Sequence, residues 1–238
     1  MKQNYTFGEV LASYPKEKRK ADGMLTRLIY RPASFPLAWL ALNMHLSANA
    51  VTYLSIIFCI AGFICSFFSA TAVQICGICC FFVFAVLDCA DGNMARTLKN
   101  KNEQRSNAHF GSCVDAIGGY CAYTAILFSM GNSSQLFPAP LYLTPLYVAV
   151  LSSSANLLMR IIMQAYRNAA QVDMKTAAGK SKRLSEEIGI TGWMPVLYLL
   201  GYLFEFLPYI IYLYGIVYCG GCFVSVLKVI RRIEKTAG

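Results

Sequence analysis

The sequence predicts an all-α, polytopic membrane protein with six transmembrane helices and an N-terminal amphipathic helix lying in the membrane interface. Of 238 residues, 57% are hydrophobic and only 14% charged, with a mean hydropathy of +0.49, too apolar for an ordinary soluble domain. Three stretches are nearly free of charge: Ala50 to Leu87, Ala116 to Met159, and Ile188 to Leu227, the last interrupted only by Glu205. All 21 Lys and Arg residues fall within residues 2–31, 96–105, 160–183 and 228–235.

One bilayer crossing takes about 20 apolar residues, so each uncharged stretch is long enough for two. Breaks fall where hairpins need them: at Ser69 to Gln74, in the polar run Gly131 to Gln135 followed by Pro138 and Pro140, and at Glu205 to Pro208. The predicted helices are 50–69, 73–98, 113–130, 142–166, 189–204 and 208–230. The basic clusters occupy the two ends and the even-numbered connections, while the opposite connections carry no Lys or Arg. The positive-inside rule therefore places both termini and the basic loops in the cytoplasm.

The chain divides into a lead, residues 1–46, and a six-helix domain, residues 47–238. Residues 1–23 are polar, with a cluster at Lys16, Lys18, Arg19 and Lys20 and no cleavable signal pattern. Residues 24–46 mix Leu25, Leu28, Ile29, Leu37, Trp39, Leu40 and Leu42 with Arg27, Arg31, Pro32 and Pro36. That run is too short and too rich in proline for a seventh span, and it predicts a segment lying in the interface with Trp39 at headgroup depth.

A formal net charge of +9 raises the question of nucleic acid. The charge lines one membrane face and no nucleic-acid-binding module is visible, so the predicted partner is the lipid bilayer or a phosphorylated substrate. Ten cysteines invite a metal or disulfide reading, but Cys59, Cys65, Cys76, Cys79, Cys80, Cys121, Cys219 and Cys222 fall inside predicted helices, and Cys76, Cys79, Cys219 and Cys222 lack nearby histidine. They read as small packing residues.

Chemistry concentrates in Asp88-Cys89-Ala90-Asp91-Gly92-Asn93-Met94-Ala95-Arg96, which ends the second predicted helix on its cytoplasmic side. Asp88 and Asp91, three apart, share a helix face. Gly92 and Ala95 are small and admit a ligand or a second backbone, and Arg96 presents a planar fork suited to phosphate. Asp115, at the start of the third helix, returns to the same face. Acids near a bilayer cost about 2.5–3.5 kcal/mol each and repel one another, so together they call for a cation. Hard carboxylate oxygens suit Mg²⁺ or Mn²⁺, and two ions can clamp the attacking and leaving oxygens of an in-line displacement. The plainer reading is that the acids end helices and pair with Arg96, Lys99 or Lys101.

These residues resemble the CDP-alcohol phosphotransferase (CDP-alcohol phosphatidyltransferase) family, whose signature reads D-x-x-D-G-x-x-A-R, about eight residues, then G-x-x-x-D-x-x-x-D. Asp88, Asp91, Gly92, Ala95, Arg96, Gly111 and Asp115 match in order, and the resemblance runs from about residue 47 to the C-terminus. Ser47 to Thr52 is similar to the family's P-N-x-x-T, with Ala48 in place of Pro. Arg31-Pro32 resembles a lead found in some bacterial branches, which implies a bacterial plasma membrane.

The resemblance implies that a substituted phosphate passes from a CDP-linked donor to an alcohol acceptor with release of CMP, as in phospholipid biosynthesis. Asp88, Asp91 and Asp115 would be the catalytic metal ligands, and Asn49, Thr52, Gly92, Ala95, Arg96 and Gly111 the substrate-binding residues. A homodimer is compatible with it. Two departures stand out. Residues Thr97 to Phe110 form a longer turn than the family's, and the fourth family aspartate, the proposed base toward the acceptor, falls at Gly119. Three rivals stay open: a membrane prenyltransferase, a cation transporter using the same carboxylates, and a catalytically dead nucleotide-binding relative.

Overall fold

The computed structural model describes residues 4–101, 108–139, 141–170 and 187–237, all helix and turn with no strand among them. The lead holds α1 (Phe7–Ala12), α2 (Lys16–Ala21) and a π-helical turn at Thr26–Tyr30 that runs straight into α3 (Arg31–Asn43). The longer helices are α4 (Ala48–Cys65), α5 (Thr71–Asn100), α6 (Ala108–Ser133) and α7 (Pro145–Ala170), followed by α8 (Met194–Leu203) and α9 (Leu207–Ala237).

Five helices, α4, α5, α6, α7 and α9, are long and apolar enough to cross a membrane, so the chain is a polytopic all-α protein as its composition predicts. The predicted span 189–204 takes a different form. Only 10 residues of it, Met194–Leu203, are α-helical, about 15 Å. Gly189 and Gly192 lie in turns closed by the Gly192 N–H donating to Gly189 O at 2.9 Å. Pro195 then marks the first turn of the helix, the one place where its missing N–H costs nothing.

Among the described residues, α4 packs against both α5 and α6, α6 against α7, and α7 against α9. At one crossing α4 and α5 approach closely. A Cβ on Gly62 would sit 2.8 Å from Gly77 O, and one on Gly77 would sit 2.6 Å from Cys65 Cβ. Only glycine lets the two backbones meet there. Next to it, Gln74 Nε2 donates to Ser66 O and Phe68 O, and Asn132 Nδ2 also donates to Ser66 O. These amides satisfy carbonyls at the C-terminus of α4 that the helix itself leaves open.

The lead packs through α3 against α5. Its outward side chains include apolar Leu28, Ile29, Leu37, Trp39 and Leu40, while Arg31 (6% exposed) and Ser34 (0%) turn inward toward α5. Arg31 is buried because it is fully partnered on that side: Nε donates to Asp22 Oδ2 at 2.8 Å, and Nη1 donates to Cys89 O at 3.0 Å and to Asn93 Oδ1 at 3.1 Å. Asp22 also pairs with Lys18 at 2.8 Å and accepts from Tyr14 Oη at 2.9 Å.

Burial by itself would raise the pKa of Asp22, but the Lys18 ammonium and Arg31 guanidinium outweigh it and hold the carboxyl below its ordinary value. A depressed folded-state pKa means this stabilisation is complete above the unfolded value of about 4 and is lost as pH falls through the folded one. Asp22→Asn should remove that acid sensitivity. It should also cost about 3–5 kcal/mol in docking of the lead, because Arg31 loses its buried counter-charge. Protease protection of residues 4–43 in detergent, followed across the acid range, measures both; identical profiles for the two proteins would dismiss the pair as the lead's anchor.

Candidate active site

At the end of α5 remote from the Gly62–Gly77 crossing, a cavity of about 540 Å³ is lined from the lead, α4, α5 and α6. All of the residues singled out from the sequence reach it. Asn49 and Thr52 come from α4, Asp88, Asp91, Gly92, Ala95 and Arg96 from α5, and Gly111 and Asp115 from α6.

The helices explain the convergence. At 30 residues, α5 is about 45 Å long, so its last turns pass beyond a hydrocarbon core about 30 Å thick. Asp88, Asp91, Gly92 and Ala95 share the face that meets the cavity, and Arg96 flanks it one turn beyond Gly92. Ser47 caps α4 by accepting the Ala50 N–H at 3.1 Å, which sets Asn49 and Thr52 in the first turns beside the acids. Thr52 Oγ1 donates to Asp91 Oδ2 at 2.6 Å. The hydroxyl, which also lies 3.2 Å from Ala48 O, thus holds a carboxylate at the cavity wall.

None of the three acids is ion-paired among the described residues. The ion pairs found are Lys18 with Asp22, Arg31 with Asp22, and Lys101 with Glu9. Arg96 instead folds back over Gly92, where a Cβ would lie 3.4 Å from Nη1, and donates from Nη2 to Asn93 Oδ1 at 2.6 Å. Its Nε is buried with no hydrogen-bond partner among the described residues. The plainer reading, acids neutralised by nearby basic residues, is thus not what the chain adopts. Asp91 is 7% exposed and carries no counter-charge among the described residues, an arrangement that costs several kcal/mol unless a cation completes it.

The three carboxylates match a hard divalent cation in chemistry. Among the described residues, no three His, Cys, Asp or Glu side chains converge closely enough to hold an ion as they stand. What fits is a cavity with carboxylates on two facing helices and unsatisfied guanidinium beside them, into which an ion and a phosphorylated ligand would enter together.

The cavity also takes in polar residues outside the expected site set, among them Tyr5, Lys18, Arg31 and His45. His45 makes the turn between α3 and α4 with φ 59°. Its N–H donates to Leu42 O and the Leu46 N–H to Ala41 O, both at 3.0 Å, the paired bonds of a Schellman ending in which glycine is usual. Arg31 does carry a signal, since a charged residue in an apolar segment is a functional candidate by default. Lys18 and Tyr5 reach the cavity only through tertiary packing.

Other features fall elsewhere. Gly119 does not line the cavity, and a Cβ there would meet nothing within 4 Å. Arg160 stacks over Tyr123 at 4.1 Å and donates from Nε to Asn156 Oδ1 at 2.8 Å, away from the acids. Within the longer turn, α5 continues to Asn100 and α6 begins at Ala108, while 102–107 lie outside the described residues.

The family model for CDP-alcohol phosphatidyltransferase matches residues 45–224. No curated protein and no solved structure gives a match.

Proposed function

The chain belongs to the CDP-alcohol phosphatidyltransferase family, and we propose that it moves a substituted phosphate from a CDP-linked donor to an alcohol acceptor with release of CMP, dependent on two Mg²⁺ or Mn²⁺ ions. The observation that carries this reading is one cavity holding three unpaired carboxylates, Asp88, Asp91 and Asp115, beside the unsatisfied Arg96 guanidinium. A metal-bound diphosphate complements both. A cation transporter would need the acids but has no use for Arg96 and Lys18 around them, and the donor motif is intact.

Bound divalent cations would neutralise the diphosphate and polarise the phosphorus under attack. Asp88 and Asp91 from α5 and Asp115 from α6 would hold them, and Thr52 would keep Asp91 aimed inward through its 2.6 Å hydrogen bond. Gly92 and Ala95 leave room for the nucleotide against the α5 backbone, and Arg96 would take charge from the phosphates. Gly111 and Asn49 would close the cytidine side, where a Cβ on Gly111 would lie 3.5 Å from Asn49 Oδ1. The acceptor oxygen forms a bond to the phosphorus distal to cytidine, the bond from that phosphorus to the bridging oxygen breaks, and CMP leaves with the electron pair. The acceptor's proton goes to a base other than residue 119, which has no side chain.

We place this site and both termini on the cytoplasmic face of a bacterial plasma membrane, on the support of the basic clusters. Release of labelled CMP from a panel of CDP-linked donors, assayed with and without Mg²⁺ in vesicles of each orientation, tests the reading. Turnover is expected only with the divalent ion and only where the basic loops face the donor. Gly119→Asp places its side chain in open space, so it should fold and change which acceptors are used. Wild type that binds CDP but releases no CMP with any acceptor, while Gly119→Asp does, would make the native chain a catalytically dead relative.

A further inference from the structure

The family match begins at residue 45, yet the lead before it supplies part of the cavity and its best-connected cation. Arg31 sits at the head of α3 and is 6% exposed. Its Nε is held by Asp22 and its Nη1 reaches two groups of α5, the Cys89 carbonyl and the Asn93 side-chain oxygen.

Asn93 is the junction. It is 0% exposed, and its Oδ1 accepts from Arg31 Nη1 at 3.1 Å and from Arg96 Nη2 at 2.6 Å, while its Nδ2 donates to Ser34 Oγ at 2.8 Å. The amide orientation is self-consistent, because two guanidiniums can be served only by the oxygen. Two like charges converging on one neutral oxygen repel, and each limits where the other can lie. Arg96, folded over Gly92 with its Nε unpartnered, is therefore steered by Arg31 and Asn93 and by no carboxylate among the described residues.

We infer that Arg31 is a positioning residue for phosphoryl transfer, acting through Asn93 to set the Arg96 guanidinium against the donor's diphosphate, so that the lead is a working part of the site. This rests on the reading that the cavity binds a CDP-linked donor. Lysine cannot replace Arg31, since one ammonium cannot span Asp22, Cys89 O and Asn93 with the fixed geometry of the fork. Displacing a positioned group by about 1 Å can cost about 10²-fold in rate, which sets the scale of the effect.

The test is a double-substitution cycle on the full chain, read both as CMP release and as CDP binding in the presence of Mg²⁺. Arg31→Lys and Arg31→Met should lower kcat by about 10²-fold and weaken CDP binding, and either loss should largely vanish in an Arg96→Met background, as coupled residues require. Ser34→Ala removes only the hydroxyl that orients Asn93, and with so small a change in volume it keeps the test open if Arg31→Met fails to fold. It should give a smaller loss of the same kind, also absorbed by Arg96→Met. Losses that multiply independently of Arg96, or folded Arg31→Lys and Ser34→Ala proteins equal to wild type, overturn the inference. If wild type binds CDP without turning it over, the binding cycle still decides the role of Arg31 while the transferase reading fails. If it does not bind CDP at all, both fail.

Discussion

Replacing Asp88, Asp91 or Asp115 by Asn is expected to lower turnover by about 10³-fold while leaving the metal-free protein at least as stable as wild type. The first part follows from the proposed role of these side chains: each amide keeps the shape of the acid but loses the anionic oxygen that would fix an ion on the diphosphate. The second follows from their surroundings, since no cation pairs with any of the three among the described residues. Removing a charge there relieves repulsion, and at the buried Asp91 desolvation too, at no loss of an ion-pair partner, the usual balance between stability and activity at a site. After Asp91→Asn the Thr52 hydroxyl can still donate to the side-chain amide oxygen, so the local hydrogen bond survives. Thermal unfolding in detergent read beside CMP release separates the two effects. Mg²⁺ should raise the unfolding temperature of wild type and leave that of the triple Asn protein unmoved. A folded triple Asn protein with wild-type turnover would remove these acids from the mechanism.

The second large effect is expected far from the chemistry. Gly77→Val should cost more than about 3 kcal/mol, because its Cβ would stand 2.6 Å from Cys65 Cβ and 3.1 Å from Gly62 O. Neither neighbour is the free end of a flexible chain, so the helices must separate. The same substitution at Gly220, where a Cβ meets nothing within 4 Å, supplies the control and should be tolerated. Monodispersity and unfolding temperature of the two variants in detergent make the comparison. Equal behaviour would mean that α4 and α5 can part without penalty.

Much of this is legible in the sequence because its signals are local. Asp88, Asp91, Gly92, Ala95 and Arg96 lie within a few turns of one helix, so periodicity alone gives the small and acidic residues a common face. Asp115 and Gly111 join them because α6 packs, like α5, against α4. The apolar length around Met194 predicts a full span, but the turns at Gly189 and Gly192 and the helix start set by Pro195 outweigh that length. Arg31 reads as interfacial because an Arg beside Leu28 and Ile29 normally snorkels to water. Its actual direction depends on Asp22, Cys89 and Asn93, partners separated from it by 9, 58 and 62 positions, and no pattern within residues 24–46 contains them. The long-range placement of Lys18 and Tyr5 is invisible for the same reason.

The glycine crossing has a mechanical meaning for the site it never touches. Gly62 and Gly77 pin α4 to α5 near one membrane face, and the same two helices carry Thr52 and Asp91 near the other. With the pinch as a fulcrum, the stretch from Gly77 to Asp91 is a lever arm of about 21 Å, over which a tilt of only about 3° displaces the tip by about 1 Å. That is enough to part the Thr52 hydroxyl from the carboxylate it holds at 2.6 Å. A change in the crossing of α4 and α5 at the two glycines would therefore move Thr52 and Asp91 against each other at the opposite end of the same helices.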